Sequence, residues 1–125
     1  MNTSIPVLVV DDSRTISLVI SRHLENLGFT DIDLAEDGQA ALDRLRRKKY
    51  GLIISDWEMQ PTSGDQFIKA LRQDAGYAKV PVILITATAG RGASWLAGAD
   101  AYLSKPFNEK DFETAVRNVF GSLKT

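Results

Sequence analysis

The sequence predicts an α/β protein built on a parallel β-sheet that carries helices on both faces. Two observations predict this fold class. Short apolar runs, each the length of one strand, alternate along the chain with segments whose apolar residues recur at helical spacing. The longest runs also lack alternating polar positions, which is typical of strands covered on both faces. Because parallel neighbours need crossover connections, we expect each helical segment to join two parallel strands.

The first strand is predicted over Ile5–Val10, an apolar and largely β-branched run that stops at Asp11 and Asp12. Ser13 is then a suitable N-cap for a helix, and Gly28 is a suitable stop for it. The apolar residues of this helical segment recur at helical spacing. They are Ile16, Val19, Ile20, Leu24 and Leu27.

A second strand is predicted over Asp31–Ala35, and Asp37 with Gly38 opens the second helix, which carries Ala41, Leu42 and Leu45. The central strand begins at Leu52 and leads into Asp56. This run is too short for a helix, and turn-forming residues bound it on both sides, with Gly51 before it and Pro61 and Gly64 after it.

The third helix is marked by Phe67, Ile68 and Leu71. Val80–Thr86 predicts a fourth buried strand, and Ala101–Ser104 a short fifth one. The last helix follows Pro106 and has one apolar face. Its apolar residues are Phe112, Ala115, Val116, Val119, Phe120 and Leu123.

Five strands and five helical segments in alternation predict a doubly wound sheet with the flavodoxin-like strand order 2-1-3-4-5. Strands one and three are neighbours in that order, so Asp11, Asp12 and Asp56 are expected to converge beside the topological switch point. Thr86 ends the fourth strand and Lys105 follows the fifth. The sequence therefore predicts that three carboxylates, a hydroxyl and an ammonium group meet at one edge of the sheet.

Composition limits the function classes. The chain has 125 residues, of which 44% are hydrophobic and 25% charged, and we expect one domain over residues 1–125. A formal net charge of -1 provides no reason to expect nucleic-acid or membrane binding. The absence of cysteine excludes disulfides and thiolate chemistry. The first apolar run is too short for a signal sequence, so a cytoplasmic location is expected.

The motifs at the strand ends resemble those of a known family. Val9–Ser13, Ser55–Trp57, Thr86–Ala87 and Ser104–Phe107 are similar, in this order, to the receiver domain of two-component response regulators. The resemblance covers the whole chain. It is strongest to the single-domain chemotaxis regulators, the CheY-like proteins.

This resemblance implies a phosphorylation site. Asp56 would accept a phosphoryl group from a sensor histidine kinase or a phosphotransfer protein. Asp11, Asp12 and Asp56, together with the backbone carbonyl of Glu58, would hold Mg²⁺. The chemistry of these residue types agrees with the implied roles, because Mg²⁺ prefers carboxylate oxygens and waters as ligands. When the ion offsets the repulsion among the three carboxylates, one of them can act as a nucleophile.

The resemblance also implies a switch. Thr86 and Lys105 would contact the phosphate, and Tyr102 would rotate inward when Thr86 moves. The signal would reach a protein target through the fourth helix, the fifth strand and the last helix. On this interpretation the protein is a monomeric signalling phosphoprotein in chemotaxis or motility control, and it catalyses only its own phosphorylation and dephosphorylation.

Two departures from the family pattern concern loops. Receivers usually place proline directly after the methionine, whereas here Pro61 follows Met59 by two residues. The interval from Thr86 to Lys105 is about one helical turn shorter than in typical chemotaxis regulators. The fourth helical segment, Ala89–Gly98, holds three glycines, which disfavour a helix. We therefore expect it to be short, or mobile before phosphorylation.

Each motif also has an ordinary structural interpretation. Asp11 and Asp12 suit a helix N-terminus, Asp56 suits a turn, and the basic run Arg44–Lys49 suits a helix C-terminus. His23 has no neighbour at ligand spacing and is interpreted as structural. Only the combination of motifs favours the phosphorylation site.

Other functions remain open at this point. A flavodoxin-type cofactor binder shares the fold, although aspartates would repel the flavin phosphate. A metal-dependent aspartyl phosphatase would use the same residue types. A receiver-like module could instead bind a small anionic ligand, such as a cyclic dinucleotide, through Arg91 or the run Arg44–Lys49, and a receiver could also act as a phosphate sink.

Overall fold

A computed structural model describes residues 3–56, 64–86 and 99–123, without the side chains of Asp65, Ala75, Tyr102 and residues 121–123. A five-stranded parallel sheet forms the centre, in the order β2-β1-β3-β4-β5. The predicted strand order is therefore confirmed. The strands are β1 Val7–Val10, β2 Ile32–Ala35, β3 Leu52–Asp56, β4 Val82–Thr86 and β5 Ala101–Ser104.

Four helices are described, and they are numbered α1 to α4 in chain order. They are α1 Arg14–Asn26, α2 Gly38–Arg47, α3 Gly64–Gln73 and α4 Glu109–Leu123. A short 3₁₀ turn, Ala75–Tyr77, follows α3 and was not expected. The predicted fourth helical segment, Ala89–Gly98, lies outside the described residues, so α4 is the last predicted helix. None of the described helices has both the length and the apolar character that a membrane crossing requires.

Local capping explains where the first two helices begin and end. The Ser13 hydroxyl oxygen accepts a hydrogen bond from the Ile16 N–H at 3.3 Å, and Asp37 Oδ1 accepts one from the Ala40 N–H at 2.8 Å. These bonds satisfy N–H groups that have no partner within the helix. Gly28 has a φ of 106°, a conformation that side chains disfavour, and it ends the first helical segment as predicted.

The core lies on both faces of the sheet. Val7 and Val9 point to one face, where they pack in a cluster with Phe112 of α4. Leu8 and Val10 point to the other face, where they pack in a cluster with Phe67 of α3. All six side chains are fully buried. Burial on alternate sides explains why these strands are continuous apolar runs rather than alternating ones.

Three strands are shorter than predicted. β2 begins at Ile32 instead of Asp31, and turns and prolines occupy the predicted first residues of the other two. β1 begins at Val7, after Pro6, and β4 begins at Val82, after Pro81. Proline has no N–H to donate to a neighbouring strand. The Val80 N–H instead bonds to the Tyr77 carbonyl, and the Pro81 carbonyl accepts the Ile53 N–H.

An ion pair holds the start of β5 beside β4. Arg72 of α3 donates to Asp100 Oδ2 at 3.1 Å, and the same carboxylate oxygen accepts the Val82 N–H at 2.9 Å. Arg72 also donates to the carbonyls of Tyr77, Ala78 and Val80. These bonds position the amino end of β5, whose carboxyl end carries the candidate site.

The charge of the basic run Arg44–Lys49, at the end of α2, is partly neutralised by nearby carboxylates. Lys48 Nζ lies 2.7 Å from Asp31 Oδ1 and 3.0 Å from Asp33 Oδ2, and the Tyr50 hydroxyl donates to Asp33 Oδ2 at 2.6 Å. The Tyr50 hydrogen bond lowers the pKa of Asp33 below its ordinary value, while burial and the Asp33 carboxylate raise the pKa of Tyr50 to about 12. The cluster therefore stabilises an ionised Asp33.

This cluster makes part of the stability pH-dependent. Because the pKa of Asp33 is lower in the folded state, its contribution is present above the ordinary value of 3.8 and is lost as the pH falls through the folded pKa. We expect Tyr50→Phe to cost about 1 kcal/mol of unfolding free energy at pH 7, and this cost to shrink toward pH 3. Urea unfolding of both proteins at a series of pH values measures it.

Tyr77→Phe is the control for this series. The Tyr77 hydroxyl donates only to the neutral carbonyls of Leu45 and Lys48 among the bonds seen in the described residues. Its loss should therefore cost the same free energy at every pH in the series. If the loss of unfolding free energy in Tyr50→Phe were also independent of pH, ionised Asp33 would not be the group that makes the Tyr50 hydrogen bond pH-dependent.

Candidate functional site

The register of the sheet brings the predicted site residues to one edge. Val10 lies opposite Ser55, so Asp11 and Asp56 follow at the same level of neighbouring strands. Thr86 at the end of β4 lies opposite Ser104, which directly precedes Lys105. Carboxyl ends of parallel strands are where α/β proteins place their ligands.

The three aspartates converge at this edge. Asp11, Asp12 and Asp56 each offer a carboxylate oxygen, and these oxygens all lie within 4.8 Å of one another. Asp11 and Asp56 are only 2% and 3% exposed, whereas Asp12 is exposed. Two buried carboxylates at this separation repel each other strongly unless positive charge lies between them.

Lys105 supplies part of that charge. Its ammonium nitrogen lies 3.2 Å from Asp56 Oδ1 and 3.9 Å from Asp11 Oδ2. Its backbone N–H donates to the Thr86 carbonyl at 2.8 Å, and its bond to Pro106 is cis. The ammonium group therefore contacts the predicted phosphoacceptor directly.

One oxygen of Asp11 indicates a cation. Asp11 Oδ1 accepts the Ser13 N–H at 2.8 Å, but Oδ2 is buried and has no hydrogen-bond donor among the described residues. Burial is the largest cause that raises the pKa of Asp11, and the neighbouring Asp12 raises it further. A buried carboxylate oxygen without a donor beside two other carboxylates fits a divalent ion that prefers oxygen ligands.

Buried hydroxyl groups lie near Asp56. Thr86 is 2% exposed at the end of β4. Ser55 is fully buried and its hydroxyl donates to the Asp56 carbonyl at 3.1 Å. The bond from Ser55 helps to orient the backbone of Asp56, a role that the sequence analysis did not assign.

Sequence reasoning also missed a cleft beside the aspartates. It has a volume of about 210 Å³. The residues that line it are Asp11, Asp12, Arg14, Ser17, Leu34, Ala35 and Glu36. The arginine directly after the N-cap was the available signal, since cations are disfavoured in the first turn of a helix.

Three predictions fall outside the described part of the chain. The backbone carbonyl of Glu58, predicted as a metal ligand, and the displaced Pro61 lie within residues 57–63. The side chain of Tyr102, the predicted switch aromatic, is also outside the description, although its backbone lies in β5. The metal role of Glu58 and the switch role of Tyr102 stay predictions.

The structural role of His23 is supported by its surroundings. The imidazole packs against the rings of Phe107 and Phe112, with centroids 6.1 and 5.5 Å away. It therefore joins α1 to α4, and it is not among the described residues that cluster as potential metal ligands.

Comparison with known proteins identifies the class. Residues 7–117 match the response regulator receiver domain family, and the chain belongs to this family. Receiver domains are signalling phosphoproteins of two-component systems that bind Mg²⁺ at an acidic pocket and interact with histidine kinases and downstream targets.

Among curated relatives, the chain is similar to the chemotaxis protein CheY-3 of Vibrio cholerae, with 30% identity over 98% of this chain and 97% of that protein. It is also 37% identical to the response regulator Rre1 of Synechocystis over 95% of this chain. That match covers 53% of Rre1, so the chain spans about half the length of this relative.

Solved structures agree with the fold. The chemotaxis response regulator CheY4 of Vibrio cholerae has a TM-score of 0.86 at 32% identity, covering 94% of this chain and 99% of that one. The receiver domain of a sensor histidine kinase of Pseudomonas aeruginosa has a TM-score of 0.85 at 27% identity, covering 94% and 98%. That second structure holds a magnesium ion in its active-site cleft.

The acidic cluster leads to a prediction about metal binding. Asp11→Asn keeps an oxygen for the Ser13 N–H but removes a buried charge from the cluster. We expect it to weaken Mg²⁺ binding by roughly a hundredfold or more. Replacing even a residue that only hydrogen-bonds to a metal ligand typically lowers metal affinity by about 10–100-fold. Isothermal titration calorimetry with Mg²⁺ measures the change.

Glu36→Gln is the matched control. Glu36 is an exposed carboxylate that lines the cleft beside the cluster, and its substitution changes the net charge by the same amount. Its Mg²⁺ affinity should fall far less than that of Asp11→Asn, because Glu36 is exposed and is not among the clustered carboxylates that could contact the ion. Equal losses in the two variants would exclude a specific role for Asp11.

Proposed function

We propose that this chain is a phosphoacceptor switch that works as a single receiver module. Asp56 takes a phosphoryl group from a histidine kinase or a phosphotransfer protein in a Mg²⁺-dependent reaction, and the phosphorylated form binds a protein target with altered affinity. The observation that carries the proposal is the convergence of Asp11, Asp12 and Asp56, with Lys105 3.2 Å from Asp56. The family match of residues 7–117 supports it.

The residues of the chain supply the nucleophile and the donors. A carboxylate oxygen of Asp56 attacks the phosphorus atom, and the bond from phosphorus to the donor imidazole nitrogen breaks. That nitrogen keeps the electron pair and leaves as neutral imidazole when the other ring nitrogen carries a proton. Lys105 holds its ammonium group beside the attacking carboxylate, where it can donate to phosphoryl oxygens.

Three carboxylates at this mouth repel an incoming phosphoryl group. When bound at Asp11, Asp12 and Asp56, Mg²⁺ would supply the positive charge that offsets this repulsion. Asp11 suits this role best, because one of its oxygens is buried without a hydrogen-bond donor among the described residues. Asp12 is exposed and lies at the entrance.

The switch follows from the charge that is added. A phosphoryl group brings about -1.5 to -2 charge and three acceptor oxygens. Thr86 and Lys105 are the donors that we assign to it. Charge-assisted hydrogen bonds contribute about 1.5–3 kcal/mol each, so two of them bias a two-state equilibrium by on the order of a hundredfold or more.

The target surface is proposed to include β5 and α4, with the fourth predicted helical segment and Tyr102. The described part of this surface contains a groove of about 430 Å³. The residues that line it are Ala101, Leu103, Ser104, Pro106, Asp111, Thr114, Ala115 and Asn118. The groove begins at the strand that ends beside Lys105, which favours coupling between the phosphate and the target.

Chemotaxis or motility control is the proposed output, because CheY-3 and CheY4 of Vibrio cholerae, which the chain covers almost completely, are chemotaxis proteins. A monomeric state and a cytoplasmic location go with this proposal. A small anionic ligand has less support in the basic run, since Lys48 and Arg46 have carboxylate partners there. Arg91 lies outside the described residues.

The proposal predicts a covalent product. With Mg²⁺ and acetyl phosphate, wild type should gain the mass of one phosphoryl group, and Asp56→Asn should gain none because an amide is not a nucleophile of comparable strength. Intact-protein mass spectrometry measures the gain. Hydroxylamine should remove the group, since it cleaves acyl phosphates and leaves serine or threonine phosphates intact.

Asp43→Asn is the control for this experiment. Asp43 forms an exposed pair with Arg46 on α2 and is not one of the clustered aspartates, so this variant should be phosphorylated like wild type. A wild-type protein that never gains the mass with Mg²⁺ present, or an Asp56→Asn protein that gains it equally, would refute the proposal.

A further inference from the structure

Arg14 lies at the edge of the candidate site without a structural role that the fold explains. It is the first residue of α1 and is exposed. It lines, together with Asp11 and Asp12, the cleft of about 210 Å³ that opens beside the carboxylates. Arg14 is therefore part of the wall of a cleft that contacts two of the three clustered carboxylates.

The position of this cation is electrostatically unfavourable within its own helix. The first turn of a helix carries partial positive charge, which favours acidic side chains and disfavours basic ones. The first turn of α1 has no acidic residue. Arg14 also forms no ion pair with a carboxylate in the part of the chain that the structure describes. Helix stability thus does not account for an arginine here.

A ligand of opposite charge does account for it. The donor of a phosphoryl group is anionic, and it must approach three carboxylates. Lys105 is already engaged with Asp56 and Asp11, so its charge is partly neutralised. A guanidinium group binds two oxygens of a phosphoryl group at once, in a fixed planar geometry.

We propose that Arg14 is a positioning residue that attracts the anionic phosphodonor and orients its phosphoryl oxygens toward Asp56. The inference rests on the proposed function of Asp56, and it adds a residue that determines how the phosphodonor binds. Arg14 acts on the encounter with the donor. It does not hold the metal, and it does not act on the phosphoryl group after the transfer.

The step is balanced without a further reactant. For acetyl phosphate, a bond forms between an Asp56 oxygen and phosphorus, and the bond from phosphorus to the acetyl oxygen breaks. The electron pair leaves with acetate. The phosphoryl group keeps its two negative charges, and Arg14 stays protonated throughout.

The test compares Arg14→Gln, Arg14→Lys and Arg22→Gln in the full chain. Arg22 is an exposed arginine two turns further along α1, so Arg22→Gln loses the same charge at a greater distance from the site. The second-order rate constant of phosphorylation by acetyl phosphate is measured at saturating Mg²⁺ and at several salt concentrations. Calorimetry with Mg²⁺ and thermal unfolding are measured in parallel.

We expect Arg14→Gln to lower the rate constant by about tenfold, at the low end of the range for electrostatic steering. Arg14→Lys should restore part of it, and Arg22→Gln should stay within about twofold, because charges beyond a Debye length are screened. The salt dependence should be steeper for wild type than for Arg14→Gln. Phosphoramidate, which has less net negative charge, should show a smaller loss.

Each result has a defined consequence. Equal rate constants for Arg14→Gln and Arg22→Gln, with wild type phosphorylated, would overturn the inference and leave the proposed function intact. Weaker Mg²⁺ binding or a lower unfolding temperature in Arg14→Gln would also overturn it, because metal loss or misfolding would then explain the rate. If wild type is not phosphorylated, the proposed function fails and the inference fails with it.

Discussion

The repulsion between three carboxylates is the constraint on which the structure of this site depends. Asp11, Asp12 and Asp56 place oxygens within 4.8 Å of one another, and two of the three are almost completely buried. Carboxylates in such a place remain charged only if cations or hydrogen-bond donors surround them. Lys105 offsets part of the repulsion. The remainder explains why this edge of the sheet suits a divalent ion.

Hydrogen bonds donated by backbone N–H groups help to hold these charged residues in place. Ser13 links the site to α1, because its N–H donates to Asp11 while its hydroxyl caps the helix. The N–H of Lys105 bonds to Thr86 at the end of the neighbouring strand. At the opposite end of β5, the pair between Arg72 and Asp100 sets where this strand begins. The site is therefore supported from both ends of the sheet.

The same arrangement connects chemistry to signalling. Asp56 and Lys105 lie at the carboxyl edge of the sheet, and the groove between β5 and α4 starts at the same strand end. A charge added at Asp56 acts first on groups that belong to these elements. The proposed target surface therefore starts at the site itself, and the cleft that Arg14 lines opens beside Asp11 and Asp12.

The sequence by itself determined the fold class, the strand order and most element positions. Buried runs such as Leu52–Ile54 and caps such as Ser13 and Asp37 are local signals, whose meaning depends on neighbouring residues and on the period of the apolar pattern. The motif order also pointed to the residues that now meet at the sheet edge. The first residues of β1 and β4 were assigned wrongly as strand, because proline and turn bonds override an apolar run there.

Only the tertiary structure decided the distances and the burial. The 3.2 Å contact of Lys105 with Asp56 joins residues that are far apart in the chain, so no local pattern encodes it. The burial of Asp11 Oδ2 without a hydrogen-bond donor among the described residues is likewise set by packing. The sequence offered one signal for the cleft, an arginine directly after an N-cap, but only packing places Arg14 beside Asp11, Asp12 and Glu36. Electrostatic energies depend on separation and on exclusion of water, and both are set by packing.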